Sequence, residues 1–276
     1  MMAQSDGITT KDPKAKETVD AALKAIGGED KTSSIKSIII KGSETRIMWM
    51  SSQSTIDGKL THTTTPSTNE FEIRILLPDN FIQITRLPTR TTYTGISQGA
   101  LLTLPPAAIV TDSSGVGNTI QTFKAAEGTA KSRADAGKDE WACFLAGMLI
   151  KAGPMPLTLS SGSTPGVFNL TNHAGDFGEI EFDSKTGYPS VVRYKTTRGS
   201  MSTIIGGPGD SLGRDSNITQ DMVENEIGFH DRFSIEGIMF PKTISMTGPP
   251  VDRTLYINSV QINPKLSLKD FEVPKQ

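Results

Sequence analysis

Residues 70–87 read EFEIRILLPDNFIQITRL, two apolar runs with a proline between them. In the first, Phe71, Ile73 and Ile75 fall on one side and Glu70, Glu72 and Arg74 on the other; in the second, Phe81, Gln83 and Thr85 oppose Ile82, Ile84 and Arg86. A period of two is the signature of a β-strand, whose successive side chains leave opposite faces. Between the runs Pro78 presets φ, and Asp79 and Asn80 bond their own backbone, so the stretch reads as two antiparallel strands and a turn. One face apolar and the other rich in Thr, Ser and charge is what an antiparallel sheet wetted on one side requires.

The same pattern extends both ways. Segments 38–50 (IIIKGSETRIMWM), 54–64 and 90–95 read as strands before and after it, and 166–171, 177–183, 189–197, 201–205, 221–231, 232–247 and 252–262 resume it later. Residues 12–26 place Val19, Ala22, Leu23 and Ile26 on one helical face, with Pro13 near the start and Gly27-Gly28 at the end. A second helix is expected over 132–151, with Trp141, Phe144, Leu145, Met148 and Leu149 on one face and a break near Gly137. Residues 96–119 and the glycine-rich 206–218 read as loops. A sheet of this length is expected to curl. The expected fold is therefore mainly β: a strongly curved antiparallel sheet forming a half-open barrel of about eleven strands around two helical elements, one of them a lid. Residues 1–276 are expected to form one domain, with 96–160 an enlarged loop and helix insertion. Residues 1–11 are expected to be flexible or an added start ahead of a mature chain beginning near Ala3 or Gln4.

The 276 residues carry 28 basic and 30 acidic side chains, for a net charge of -2. The basic residues are scattered, so no stripe for a phosphate backbone exists and nucleic acid is not an expected partner. Cys143, the single cysteine, rules out an intrachain disulfide and sits in an apolar run. No apolar run reaches the length of a membrane-spanning helix, and the first residues lack the apolar core of a signal peptide.

Nothing in the chain assembles chemistry. His62, His173 and His230 lie in separate segments, whereas a metal site needs three or four converging ligands. The G-x-S-x-G string Gly209-Asp210-Ser211-Leu212-Gly213 falls in the glycine-rich stretch read as a loop and not at a strand-to-helix turn, so it is not read as a nucleophile elbow, and Asp139 and Glu140 near Cys143 disfavour its thiolate. Glu179/Glu181 and Glu224/Glu226 are two apart in strands, hence on one face, which reads as the wet side of the sheet. No catalytic residue, metal or cofactor is expected.

The apolar residues say more. Met48, Met50, Leu76, Phe81, Leu102, Trp141, Phe144, Leu145, Met148, Phe168, Ile235 and Phe240 are the candidate lining of an apolar cavity between sheet and helices. Ten methionines suit a site that adapts to its occupant, since an unbranched thioether refits with little strain. The alternative is that these side chains fill one another's gaps and leave no hollow. An acyl chain needs no polar signature: at roughly 0.8 kcal/mol per buried methylene, sixteen carbons supply about 10 kcal/mol before ordering costs.

Three stretches carry a family resemblance. VDAALKAIGGEDKTSSIKSIIIKGS (19–43), FHDRFSIEGIMFPKTISM (229–246) and LYINSVQINPKLSLKDFEVP (255–274) resemble the bacterial outer-membrane lipoprotein carrier superfamily, the LolA/LolB-like proteins, and in particular the looser periplasmic relatives. The matching features are Phe233 and Ile235 before a turn containing Gly237, Phe240-Pro241 leading into the next strand, and Asn263 followed by Phe271 and Pro274. The resemblance implies a half-open barrel covered by helices whose hollow receives acyl chains. Segment 96–160 is larger than the family's usual helical insertion. Arg46 lies in a strand comparable with one that holds a lid-linked arginine in the carrier, but its neighbours do not match and the role is not carried over.

Two readings of function follow. The first is a non-catalytic, monomeric periplasmic protein, its export signal removed, that binds acyl chains, lipids or lipoproteins in the apolar cavity. The second is an envelope interaction or scaffold module with a filled barrel and no lipid ligand. A cytoplasmic location stays open.

Overall fold

The computed structural model describes residues 7–53, 60–88, 91–97, 100–103, 127–172, 175–201, 218–248 and 251–272. The chain opens with β1 (Thr9–Thr10), α1 (Pro13–Ile26) and α2 (Glu29–Ser33), then β2 (Ser37–Gln53), β3 (Leu60–Leu76), β4 (Asn80–Arg86), β5 (Thr91–Ser97) and β6 (Ala100–Thr103). After α3 (Glu127–Leu149) come β7 (Thr158–Ser161), β8 (Val167–Asn172), β9 (Gly175–Phe182), β10 (Pro189–Met201), β11 (Ile218–Ile235), β12 (Ile238–Thr247) and β13 (Val251–Ile262), and a closing 3-10 turn at Leu268–Phe271.

The half-open barrel expected from the sequence is not formed. Among the described residues, thirteen strands make one open sheet in the order β1-β7-β8-β9-β10-β11-β12-β13-β2-β3-β4-β5-β6, which neither closes nor curls up strongly. It is also mixed, because Thr9 and Thr10 pair parallel with Thr158 and Leu159. Three α-helices accompany it, not two. The sheet is two meanders joined in the middle, where β13 pairs antiparallel with β2 from Val251↔Met48 to Ile262↔Ile38. The end strands β6 and β1 do not meet; α3, which connects the two meanders, lies against β10, β11 and β12 and also against β5 and β6.

Local chemistry explains the elements. In α1 the Asp12 side chain accepts from the Ala15 N–H at 2.9 Å, Pro13 occupies the first turn, and Gly27 at φ 145° ends it. Ala15, Val19, Ala22 and Ile26 are its buried face. Residues 60–64 of one expected strand and 70–76 of the next belong to one strand, β3, running through Pro66, while 54–59 lie outside the described residues. Pro66 is tolerated because, among the described residues, β3 pairs with β4 only from Glu70 onward, so that stretch is laddered to β2 alone. The hairpin β11–β12 turns through Glu236 (φ 52°) and Gly237 (φ 77°), the positive-φ pair a two-residue hairpin requires.

The helix α3 is continuous through Gly137, and residues 141–150 are buried on every side. Its end is held by Arg232, which donates to the carbonyls of Gly147 (3.0 Å) and Met148 (3.3 Å), and to those of Pro189 (3.0 Å) and Met239 (3.2 Å). A cation at a helix C-terminus meets the negative end of its dipole. The guanidinium also stacks over Tyr188 at 4.9 Å, and burial brings its pKa down to about 10.

The sheet is covered on both faces at β4. Phe81 joins the main core with α3, while Ile82 and Ile84, on the opposite face, lie under Phe271 with Leu76 and Leu266 packed alongside. The 3-10 turn that delivers Phe271 is closed by a reciprocal cap, the Ser267 N–H and hydroxyl both donating to Asp270 Oδ2 at 2.7 and 2.9 Å.

Candidate functional site

The residues expected to line an apolar cavity fall in three places. Phe81, Trp141, Phe144, Leu145, Met148, Phe168 and Phe240 belong to one packed core, with Ile235 half-buried against it. Trp141 stacks on Phe81 at 5.2 Å and meets Phe144 edge-on at 5.5 Å; Phe144 lies 6.4 Å from Phe229, and Phe168 is edge-on to Phe182 at 5.6 Å. Leu76 is on the other face of the sheet, beside Phe271. The side chains of Met48, Met50 and Leu102 lie outside the described residues. The C-terminal half of α3 thus occupies the space between helix and sheet.

A polar layer borders this core. Arg253 of β13 meets Glu140 of α3 at 2.6 Å and reaches Gln83 at 3.5 Å; Arg46 meets Glu44 at 2.8 Å and donates to the Thr85 hydroxyl at 3.2 Å. Burial works against the Arg253 charge, but Glu140 and Glu44 outweigh it and hold its pKa above the ordinary value. Glu44 is fully buried, and its Oε1 has no hydrogen-bond partner among the described residues.

Among the described residues a hollow lies elsewhere. A groove of about 990 Å³ is lined mostly by side chains that point away from the core. In β10, Val192 and Tyr194 are buried, so Arg193 and Lys195 face outward; β9 and β11 alternate likewise around Ile180 and Ile227. The register aligns these outward residues in one row: Asn169↔Glu179, Glu179↔Arg193, Arg193↔Glu226 and Glu226↔Thr247. Met246 faces Arg253, which sets Thr247 beside Asp252. All six row residues line the groove, and Tyr194 and Asn225 from the adjoining core-facing row border it as well. Arg193 is bracketed by Glu226 (2.9 Å) and Glu181 (3.2 Å), and Lys195 meets Glu224 at 3.2 Å. Both carboxylate pairs singled out in the sequence belong to this outward ladder, and Glu179, Glu224 and Glu226 of them line the groove.

The remaining candidates stand apart from the groove. His230 shares a 3.0 Å hydrogen bond with Ser245, and the His62 side chain and His173 lie outside the described residues. Cys143 is buried, and burial, followed by the charges of Asp139 and Glu140, pushes its thiol well up. Among the described residues no group of three or more His, Cys, Asp or Glu is placed to hold a metal. No helix among them is long and apolar enough to cross a membrane.

No family model matches the chain, and no curated protein does. Solved structures do. A LolA superfamily protein from Nitrosomonas europaea aligns at 10% identity over 94% of this chain and 97% of its own, with a TM-score of 0.45. A DUF1329 family protein from Desulfovibrio piger aligns at 10% identity over 95% and 98%, with a TM-score of 0.39. A domain assigned to outer membrane lipoprotein sorting, from Vibrio parahaemolyticus, aligns at 10% identity over 93% and 97%, with a TM-score of 0.35. All three likenesses are of low identity and span nearly the whole chain.

Proposed function

We propose that this chain is a non-catalytic binding protein of the bacterial envelope, working as a monomer in the periplasm on lipids or lipoproteins. Its whole length acts as one domain, with 96–160 an enlarged insertion. The observation that carries this reading is the separation of core and hollow: α3 fills the apolar face of the sheet, and the groove of about 990 Å³ opens on the other. That volume is at the upper end of the roughly 300–1,000 Å³ of small-molecule sites. Its row of Asn, Glu, Arg and Thr suits a headgroup or the polypeptide part of a lipoprotein. An acyl chain would instead bind against Phe81, Phe144, Met148, Phe168 and Phe240, in competition with α3.

The same filled core favours a second reading, an envelope interaction module that carries no lipid. Native mass spectrometry of protein exported to the periplasm, with extraction of any bound lipid, separates the two. Recovery of a defined lipid, or saturable binding of a fluorescent fatty acid, supports the first reading. Failure of both leaves the second.

A further inference from the structure

Where β12, β13, β2 and β3 run side by side, the outer face of the sheet carries almost no charge. The register sets Thr243 beside Tyr256, Tyr256 beside Ser43 and Ser43 beside Glu70 in one row, and aligns Ser245, Thr254, Thr45 and Thr68 in the next. Their chain neighbours Ile244, Leu255, Ile257, Glu44 and Asn69 are buried, so all eight side chains point away from the core. Seven of the eight bear a hydroxyl, and only Glu70, at a corner, is charged. The outward positions of β9, β10 and β11 differ, with Arg193 and Lys195 locked into ion pairs with Glu181, Glu226 and Glu224. Ser245 shares a hydrogen bond with His230, whereas the other six hydroxyls have no side-chain partner among the described residues. Tyr256, 46% exposed, stands in their midst.

Size and charge select the occupant. Strands about 4.8 Å apart and same-face positions about 6.8 Å apart give each residue about 33 Å², so the eight cover about 260 Å². A stable protein interface takes about 800 Å² from each partner and has an apolar centre, which this face lacks. An uncharged face offers nothing to hold a phosphate, a carboxylate or a basic segment, and complementarity points to a neutral ligand. A hydroxyl both donates and accepts, so rows of hydroxyls match a ligand that is itself built of hydroxyls. The exposed tyrosine adds a rigid surface, apolar across the ring and polar at its tip. We propose that this face binds an uncharged saccharide, one sugar ring lying against Tyr256 and its hydroxyls bonded to Thr243, Ser43 and Thr254 around it. The inference goes beyond the lipid reading and does not rest on it.

Calorimetric titration of the full chain with cellohexaose and chitohexaose, and with hexagalacturonate as a charged counterpart, tests this. At least one neutral hexasaccharide is expected to bind saturably, and the charged one not to bind. Tyr256→Ala should weaken binding about tenfold, Tyr256→Phe, which keeps the ring, only about twofold, and Thr45→Val with Thr254→Val about fivefold. Valine suits a strand, so the melting curve of the valine double variant should match the parent and its loss of binding cannot be a loss of fold. In NMR spectra the bound sugar should shift the backbone amides around Tyr256, Thr45 and Thr254 and leave those of Glu179 and Arg193 in place. Failure of both neutral hexasaccharides to bind overturns the proposal, as does equal binding of hexagalacturonate. So does undiminished affinity in Tyr256→Ala or in the valine double variant, or a set of shifts centred on Glu179 and Arg193, which assigns the sugar to the groove.

Discussion

Glu140 and Arg253 meet at 2.6 Å and tie α3 to β13, beside the point where the apolar core gives way to polar side chains. Their side chains keep 32% and 20% of their exposure, so the pair is neither a surface contact nor a dry one. Exposed pairs contribute up to about 1 kcal/mol, and breaking a buried one costs about 3–5 kcal/mol. Glu140→Gln should therefore lower the unfolding free energy by about 1–2 kcal/mol, read from urea midpoints. An Arg253→Met, Glu140→Gln double-mutant cycle should return a coupling of similar size; additive effects would show that the tie contributes nothing.

Gly147 in α3 should resist a change that improves most helices. Alanine inside a helix is better than glycine by up to about 1 kcal/mol. Here an added Cβ runs into the Phe229 ring. Gly147→Ala should therefore destabilise by about 1–3 kcal/mol, the usual range for overpacking, and Phe229→Leu in the same chain should recover part of the loss. Thermal unfolding of the parent and the two variants decides it.

Phe271 covers Ile82 and Ile84 and is itself fully buried. Phe271→Ala should cost about 3 kcal/mol, within the range for a buried phenylalanine. The exposed pair on β4 should also raise the binding of a hydrophobic dye, which a wild-type control would not show.

Asp12 predicts an acid-side effect. Its carboxylate accepts from the Ala15 N–H, the Ser161 N–H and the Ser161 hydroxyl, and these bonds hold its pKa below the ordinary 3.8. A depressed carboxylate pKa contributes stability that is fully present above 3.8 and is lost as pH falls through the lower, folded value. Asp12→Asn should accordingly be less stable than the parent near neutrality, with the gap closing as pH drops below 3.8. A gap that stays constant with pH would refute the role of the charge.

Strand type and turn chemistry at 70–87 were legible in the alternation, as was the N-terminal helix from its cap, proline and apolar spacing. What lay across each face was not. The period-two pattern set Ile82 and Ile84 opposite Phe81 without saying what covers them, because nothing local states that residues near 271 fold back over them. The short, polar β7 was not recognised as a strand, since its parallel partner β1 precedes it by 149 residues. Around α3 the large side chains marked one face, but Ala142, Cys143 and Ala146 are small enough for the opposite face to be buried too. The groove escaped detection for a related reason. Its row takes one residue from each of six strands, and the register that aligns them exists only once the sheet has formed.

The pairing of β13 with β2 also bears on how the molecule is made. Lys36 at the start of β2 donates its N–H to the Asn263 side chain, 227 positions later, at 2.7 Å. During synthesis the first meander therefore emerges with one long edge unpaired, and it waits for nearly the whole polypeptide before that edge is covered. Such non-local closure is slow and leaves an adhesive border on the nascent chain. Holding factors that shield unfinished sheets should therefore matter more to its yield in cells than the stability of the finished protein.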